Sequence, residues 1–215
     1  LRYILPMSHP SDQIVQTTSR VLDITGFENT LILLTAPGDE VTACGGLIAE
    51  ACARGRPPFV VILGDGAADR SARLARERER ASRTACRRLG LPDDRLLFAG
   101  LPQGDFPAIG TPLFNALKAA MAEVSWRRDC NVILAPFAAW DGGDATATWQ
   151  LACALARDVK LPLLAGVPTD VPPSLPAKTI WRLDARHWSG RKTEAGLAHG
   201  HQIGDAGYEM YGRAG

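Results

Sequence analysis

Side chains suited to acid–base or metal chemistry are few in this chain, and most stand beside apolar runs. Asp39 and Glu40 follow the run Leu31 to Thr35, Asp65 follows Phe59 to Leu63, and Asp141 and Asp144 lie in a loop after Asn131 to Ala135. Only four histidines exist, His9, His187, His199 and His201, and two of them form a His-x-His pair near the end. His199 and His201 with Asp39, Asp141 and Asp144 could assemble a metal site; the alternative is a C-terminal helix cap and a surface imidazole. The five cysteines are odd in number, widely spaced and set among apolar neighbours, with no CxxC or Cys/His cluster. That pattern argues for free thiols in a reducing cytoplasm and against a zinc-finger-type site. Eight arginines between Arg70 and Arg88, with Glu77 and Glu79 among them, make a charged helix face that could also meet an anion.

These residues need elements to position them. Leu31 to Thr35 reads as a buried strand, and Val41, Cys44, Leu47, Ile48, Ala51 and Cys52 repeat at helical spacing after it. Asp39, just ahead of that stripe, is expected to be the N-cap of one continuous helix, with Glu40 in its first turn. Further strands are expected at 59–63, 96–99, 131–135, 161–167 and 179–183. Helices are expected at 11–24, 70–89, from Thr111-Pro112 to about Trp126, at 145–157 with Asp144 as its cap, and at 191–198, leading into a Gly-rich tail. Strands alternating with helices predict an α/β, Rossmann-like three-layer fold: a mainly parallel sheet with helices on both faces. Such sheets hold ligands at the carboxyl ends of their strands.

Composition narrows the function classes. The 215 residues suit one domain, residues 1–215, with about 1–28 as an N-terminal extension. The chain is 46% hydrophobic and 22% charged, and its formal charge of +1 speaks against binding nucleic acid or a membrane surface by bulk electrostatics. No apolar run nears the ~20 residues that span a bilayer, and the opening LRYILPMSHPSDQ lacks the pattern of a signal peptide. The chain starts at Leu1 rather than Met, as a trimmed chain or part of a larger one would.

Thr35-Ala36-Pro37-Gly38-Asp39-Glu40, followed by Gly45-Gly46, resembles the opening junction of the PIG-L/LmbE family of zinc-dependent N-acetyl sugar deacetylases, written there Ala-His-Pro-Asp-Asp-Glu. The likeness continues through Val61 to Gly66, Leu89-Gly90, Gly100 to Gly104, Ala135-Pro136-Phe137 and Lys192 to Gln202, over roughly residues 30 to 205. The resemblance implies the fold given above and, at family level, metal-assisted amide hydrolysis by a zinc on two His and one Asp, with an Asp as base and a further His as acid or oxyanion partner. On this sequence the family's metal positions fall on Ala36, Asp39 and Ala145, its base on Gly38 and its second His on Gly142. The family's helix Glu reads Ala81, its sugar-contacting Asp reads Gln103, and its sugar-directed Arg is matched by Arg78.

Neither Ala nor Gly has a side-chain electron pair, so one of three metal ligands remains and no zinc cofactor is expected. Each missing base or acid commonly costs on the order of 10²–10⁴ in rate. The expectation is a non-catalytic domain binding a sugar or nucleotide-sugar near Asp39, Arg78, Gln103, Trp140 and Asp144, with Trp140 and Trp149 stacking on a ring or filling space. A hydrolase with a relocated zinc site using Asp39, Asp144, His199 and His201 is the alternative. A third possibility is a domain that docks on a fused neighbour or protein partner.

Overall fold

The computed structural model describes residues 19–21, 29–137, 143–167, 180–200 and 208–213. In chain order they form β1 (Ser19–Val21), β2 (Thr30–Leu34), α1 (Asp39–Thr42), α2 (Gly45–Ala53), β3 (Phe59–Gly64), α3 (Ala72–Leu89) and β4 (Leu96–Leu101). Then follow α4 (Pro112–Arg127), β5 (Val132–Pro136), α5 (Asp144–Val159), β6 (Leu163–Val167), β7 (Ile180–Asp184), α6 (Ser189–Leu197) and β8 (Tyr208–Arg213).

The strands make one eight-stranded sheet in the order β1-β7-β8-β6-β5-β2-β3-β4. Strands β6, β5, β2, β3 and β4 pair in parallel, in register such as Leu31 with Phe59 and Ile133 with Leu163. Their residues alternate between two cores because successive side chains leave opposite faces of a strand. Ile32, Leu34, Ile62 and Leu134 pack with Ile48 of α2 and Leu89 of α3. Leu31, Leu33, Leu63 and Ile133 pack with Met121 of α4 and Leu155 of α5. Both faces of the central strands are thereby buried, which is why the strands read as unbroken apolar runs. Parallel strands share one carboxyl edge, so the turns after β2, β3, β4 and β5 gather there.

Several local expectations are corrected. Residues 19–21, inside the span read as a helix from 11 to 24, are a strand paired with β7; three residues at the sheet margin take their conformation from pairing, not propensity. The tail holds a strand, β8, which runs antiparallel between β6 and β7. The helix after β2 is two helices, broken between α1 and α2 at Ala43 and Cys44. Asp39 is not an N-cap: Gly38 holds that position at φ +107°, and no side chain caps α1. Nor is Asp144 a cap, since Gly143 precedes α5 without a side-chain bond. Thr111 does cap α4, accepting from the Phe114 amide at 3.2 Å. Among the described residues, no helix is long and apolar enough to cross a membrane.

Candidate functional site at the strand ends

The opening turn, Thr35 to Gly38, is wound around the carboxylate of Asp39. Its Oδ2 accepts from the amides of Thr35 at 3.0 Å and Ala36 at 2.9 Å, reaching back instead of forward into the helix. Burial raises the Asp39 carboxyl from 3.8 to about 6; the neighbouring Glu40 charge adds to this, while the two amides oppose it. Glu40 is fully buried. Its Oε2 accepts from the Gly38 amide at 2.8 Å, and its Oε1 lies 2.6 Å from Nε2 of His199. The His199 side chain is 6% exposed, so the pair is almost wholly removed from water.

His199 lies in the turn just after α6, which packs along α3. Arg88 donates to the Glu194 carbonyl, and Trp188 Nε1 donates to Glu50 Oε2 at 2.6 Å, tying the start of α6 to α2. Sequence reasoning treated Glu40 as a first-turn residue and His199 as a cap or a metal ligand. Their partnership spans 159 positions and leaves no local spacing to find it by.

Two further carboxylates fasten the other turns. Asp65 Oδ1 accepts from the amides of Ala67 at 2.9 Å and Gln103 at 3.1 Å. Asp144 Oδ2 accepts from the Gly104 amide at 2.8 Å, drawing the loop after β4 onto the start of α5. Gly64 is forced by close approach: a Cβ there would stand 2.7 Å from the Thr35 carbonyl oxygen and 3.0 Å from the Phe106 ring. Arg78 lies by the opening turn, since a Cβ on Gly66 would meet both Pro37 Cδ at 3.0 Å and Arg78 Cδ at 3.1 Å. The Nε of Arg78 is buried without a hydrogen-bond partner. Gln103 is exposed, its backbone on Asp65. Trp140, Asp141, Gly142 and His201 fall outside the described residues.

Beside these turns is a cavity of about 360 Å³, lined among others by Pro37, Gly64, Asp65, Arg70, Arg76 and Phe98. Arg70 pairs with Asp105 at 2.7 Å. Arg76 is exposed and has no such partner among the described residues. Neither arginine was singled out from the rest of the run by spacing; their place at the first turns of α3, next to the end of β3, distinguishes them.

The site does not fit a zinc ion of the family's kind. Ala36 and Ala145 offer no ligand atom. Asp39 spends one oxygen on two amides. His199 turns its Nε2 to Glu40, and Asp144 turns Oδ2 to Gly104. Among the described residues, no three His, Cys, Asp or Glu side chains are grouped to hold a metal.

A parallel sheet covered by helices on both faces, with turns gathered at its carboxyl edge, defines the broad class, a three-layer α/β fold. The solved structures it resembles are more particular, and they include deacetylases of the PIG-L/LmbE type. Against N,N'-diacetylchitobiose deacetylase from Pyrococcus horikoshii the TM-score is 0.64 at 16% identity, covering 85% of this chain and 73% of that one. Against a deacetylase of teicoplanin biosynthesis it is 0.66 at 12% identity, covering 86% and 98%. The 4-carboxy-2-hydroxymuconate hydratase of Pseudomonas putida KT2440 shares the fold too, with a TM-score of 0.60, 17% identity, and 87% and 96% coverage. No family model matches the chain, and no curated protein matches its sequence. The likeness is therefore one of fold, and that fold carries both deacetylases and a hydratase.

Proposed function

We propose that this is a deacetylase-fold domain that binds a small anionic polyol, of the sugar or nucleotide-sugar class, at its strand ends without zinc-dependent hydrolysis. The observation that carries the reading is the cavity beside the opening turn, where Arg70 and Arg76 stand with Asp65 while the family's metal and base positions are Ala36, Gly38 and Ala145. A guanidinium at the mouth suits a phosphate or carboxylate, and an acid opposite it suits sugar hydroxyls. Arg78 and Gln103 flank the same turns, and Asp39 and Asp144 shape the walls through the backbone. In this reading Glu40 and His199 hold α6 in place and take no part in a reaction.

Isothermal titration with UDP-N-acetylglucosamine and with N-acetylglucosamine tests it. The nucleotide sugar is expected to bind more tightly than the neutral sugar, and Arg76→Gln to weaken it about tenfold or more. Silence with both probes overturns the reading. So does zinc-dependent release of acetate from the N-acetyl sugar.

A further inference from the structure

A second cavity, of about 330 Å³, lies along α5; of its lining, Trp149, Cys153 and Ala154 also pack at the edge of the core. The core stripe is Thr148, Leu151, Ala152, Leu155 and Ala156. The cavity is lined instead by Trp149, Gln150, Cys153 and Arg157, whose spacing of three and four places them on the opposite side of the helix. A helix side turned from its sheet ordinarily carries polar residues. Here Trp149, Cys153 and Ala154 give the lining an apolar part, and Phe137 and Ile109 continue it from neighbouring loops. Ile109 is 62% exposed. The ring of Phe137 meets Trp149 edge to face, with centroids 5.3 Å apart and planes at 78°.

The polar members of the lining are Thr146, Gln150 and Arg157, spaced along the helix. Gln150 and Arg157 line the cavity and form no hydrogen bond or ion pair among the described residues. Arg157 lies near enough to Cys153 for its charge to act against the burial that raises the thiol. The thiol is half-buried and forms part of the apolar wall. An apolar cavity of this size with few convergent polar groups is the ordinary form of a small-molecule site.

We propose that this cavity is a second ligand site, taking a small aromatic carboxylate whose ring lies against Trp149 and Phe137 and whose carboxylate meets Arg157. Edge-to-face aromatic packing accepts a further ring at its open side, and the guanidinium fork of Arg157 suits the two oxygens of a carboxylate. The site is distinct from the strand-end cavity, and shares none of its lining residues.

The test uses the full chain and two probes of the same shape, naphthalene-2-carboxylate and naphthalene-2-carboxamide, followed by calorimetry and by the rate of Cys153 alkylation with iodoacetamide. The carboxylate is expected to bind one equivalent and to slow alkylation. Arg157→Gln is expected to weaken the carboxylate about tenfold or more while leaving the carboxamide unchanged. Cys153→Phe, which fills the cavity, is expected to abolish binding of both; Arg157→Gln, on an exposed side chain, keeps the test open should that variant fail to fold. Absence of binding overturns the proposal, as does carboxylate binding indifferent to Arg157→Gln. Loss of naphthalene-2-carboxylate binding in Arg76→Gln would assign the probe to the strand-end cavity and also overturn it. Failure of UDP-N-acetylglucosamine to bind leaves these outcomes untouched, so the two sites stand or fall separately.

Discussion

His199→Ala should destabilise the chain far more than a substitution just after a nine-residue C-terminal helix ordinarily does. The Glu40 side chain has no exposure to water, and the variant removes the imidazole 2.6 Å from its Oε1. What remains for Glu40 is the Gly38 amide at 2.8 Å on the other oxygen. Taking away the partner of a buried acidic side chain costs about 3–5 kcal/mol, because the survivor stays in low dielectric without compensation. Since Glu40 retains one amide donor, the lower end, about 3 kcal/mol, is expected. Glu40→Gln keeps the shape and a polar group for both neighbours, so a loss nearer 1 kcal/mol is expected. Urea unfolding followed by circular dichroism at pH 7 reads this directly. With a slope of roughly 2 kcal/mol per molar, His199→Ala should lower the midpoint by about 1.5 M. A midpoint within 0.3 M of the parent would show that the histidine is not the partner of a buried carboxylate. If the loss vanished after chelator treatment of the parent, the pair would instead report on a metal, and the reading of the site would fail.

Three further consequences are measurable. Asp39 favours its protonated form in the folded chain, with a pKa of about 6 against 3.8; its contribution to stability is present below pH 4, falls between pH 4 and 6, and is gone above 6. That difference is worth at most about 3 kcal/mol, and Asp39→Asn, which keeps an oxygen for the two amides, should flatten the profile. A parent and variant with parallel urea midpoints from pH 4 to 8 would contradict this. Gly64→Ala places a Cβ 2.7 Å from the Thr35 carbonyl oxygen and should cost about 3 kcal/mol by parting the ends of β2 and β3, read as a lowered melting temperature. Asp144→Ala deprives the Gly104 amide of its acceptor at 2.8 Å and should cost about 1 kcal/mol. Hydrogen exchange at Gly104 should quicken while the β3 amides stay protected; equal protection in variant and parent would refute the staple.

The parts of this fold that were legible in the sequence are those governed by local periodicity. Leu31 to Leu34 and Val60 to Leu63 are buried on both sides, and such strands announce themselves as apolar runs. Thr111-Pro112 starts a helix by its own chemistry, and does so in the structure. What was not legible depends on chain segments meeting late. Strand β8 has no apolar run, and its place between β6 and β7 is fixed by pairing alone. Asp39 stands where an N-cap would, but the left-handed Gly38 turns the chain so that its carboxylate points back at Thr35 and Ala36. Arg76 became distinct from seven other arginines only when β3 and β4 placed Asp65 and Phe98 across from it.

The strand-end turns are also joined by carboxylates bonded to the backbone. In a metal site the cation draws several loops to one point, and its removal ordinarily loosens them. Here Asp39 binds two amides of the first turn, Asp65 joins the second turn to the third at Ala67 and Gln103, and Asp144 joins the third to α5 at Gly104. Each turn is thus held by a carboxylate bonded to backbone N–H groups, the charge-assisted kind of hydrogen bond and about twice as strong as a neutral one. Asp39 and Asp144 both give an oxygen to the backbone. A carboxylate occupied in that way would have to surrender amide bonds before it could bind a cation well.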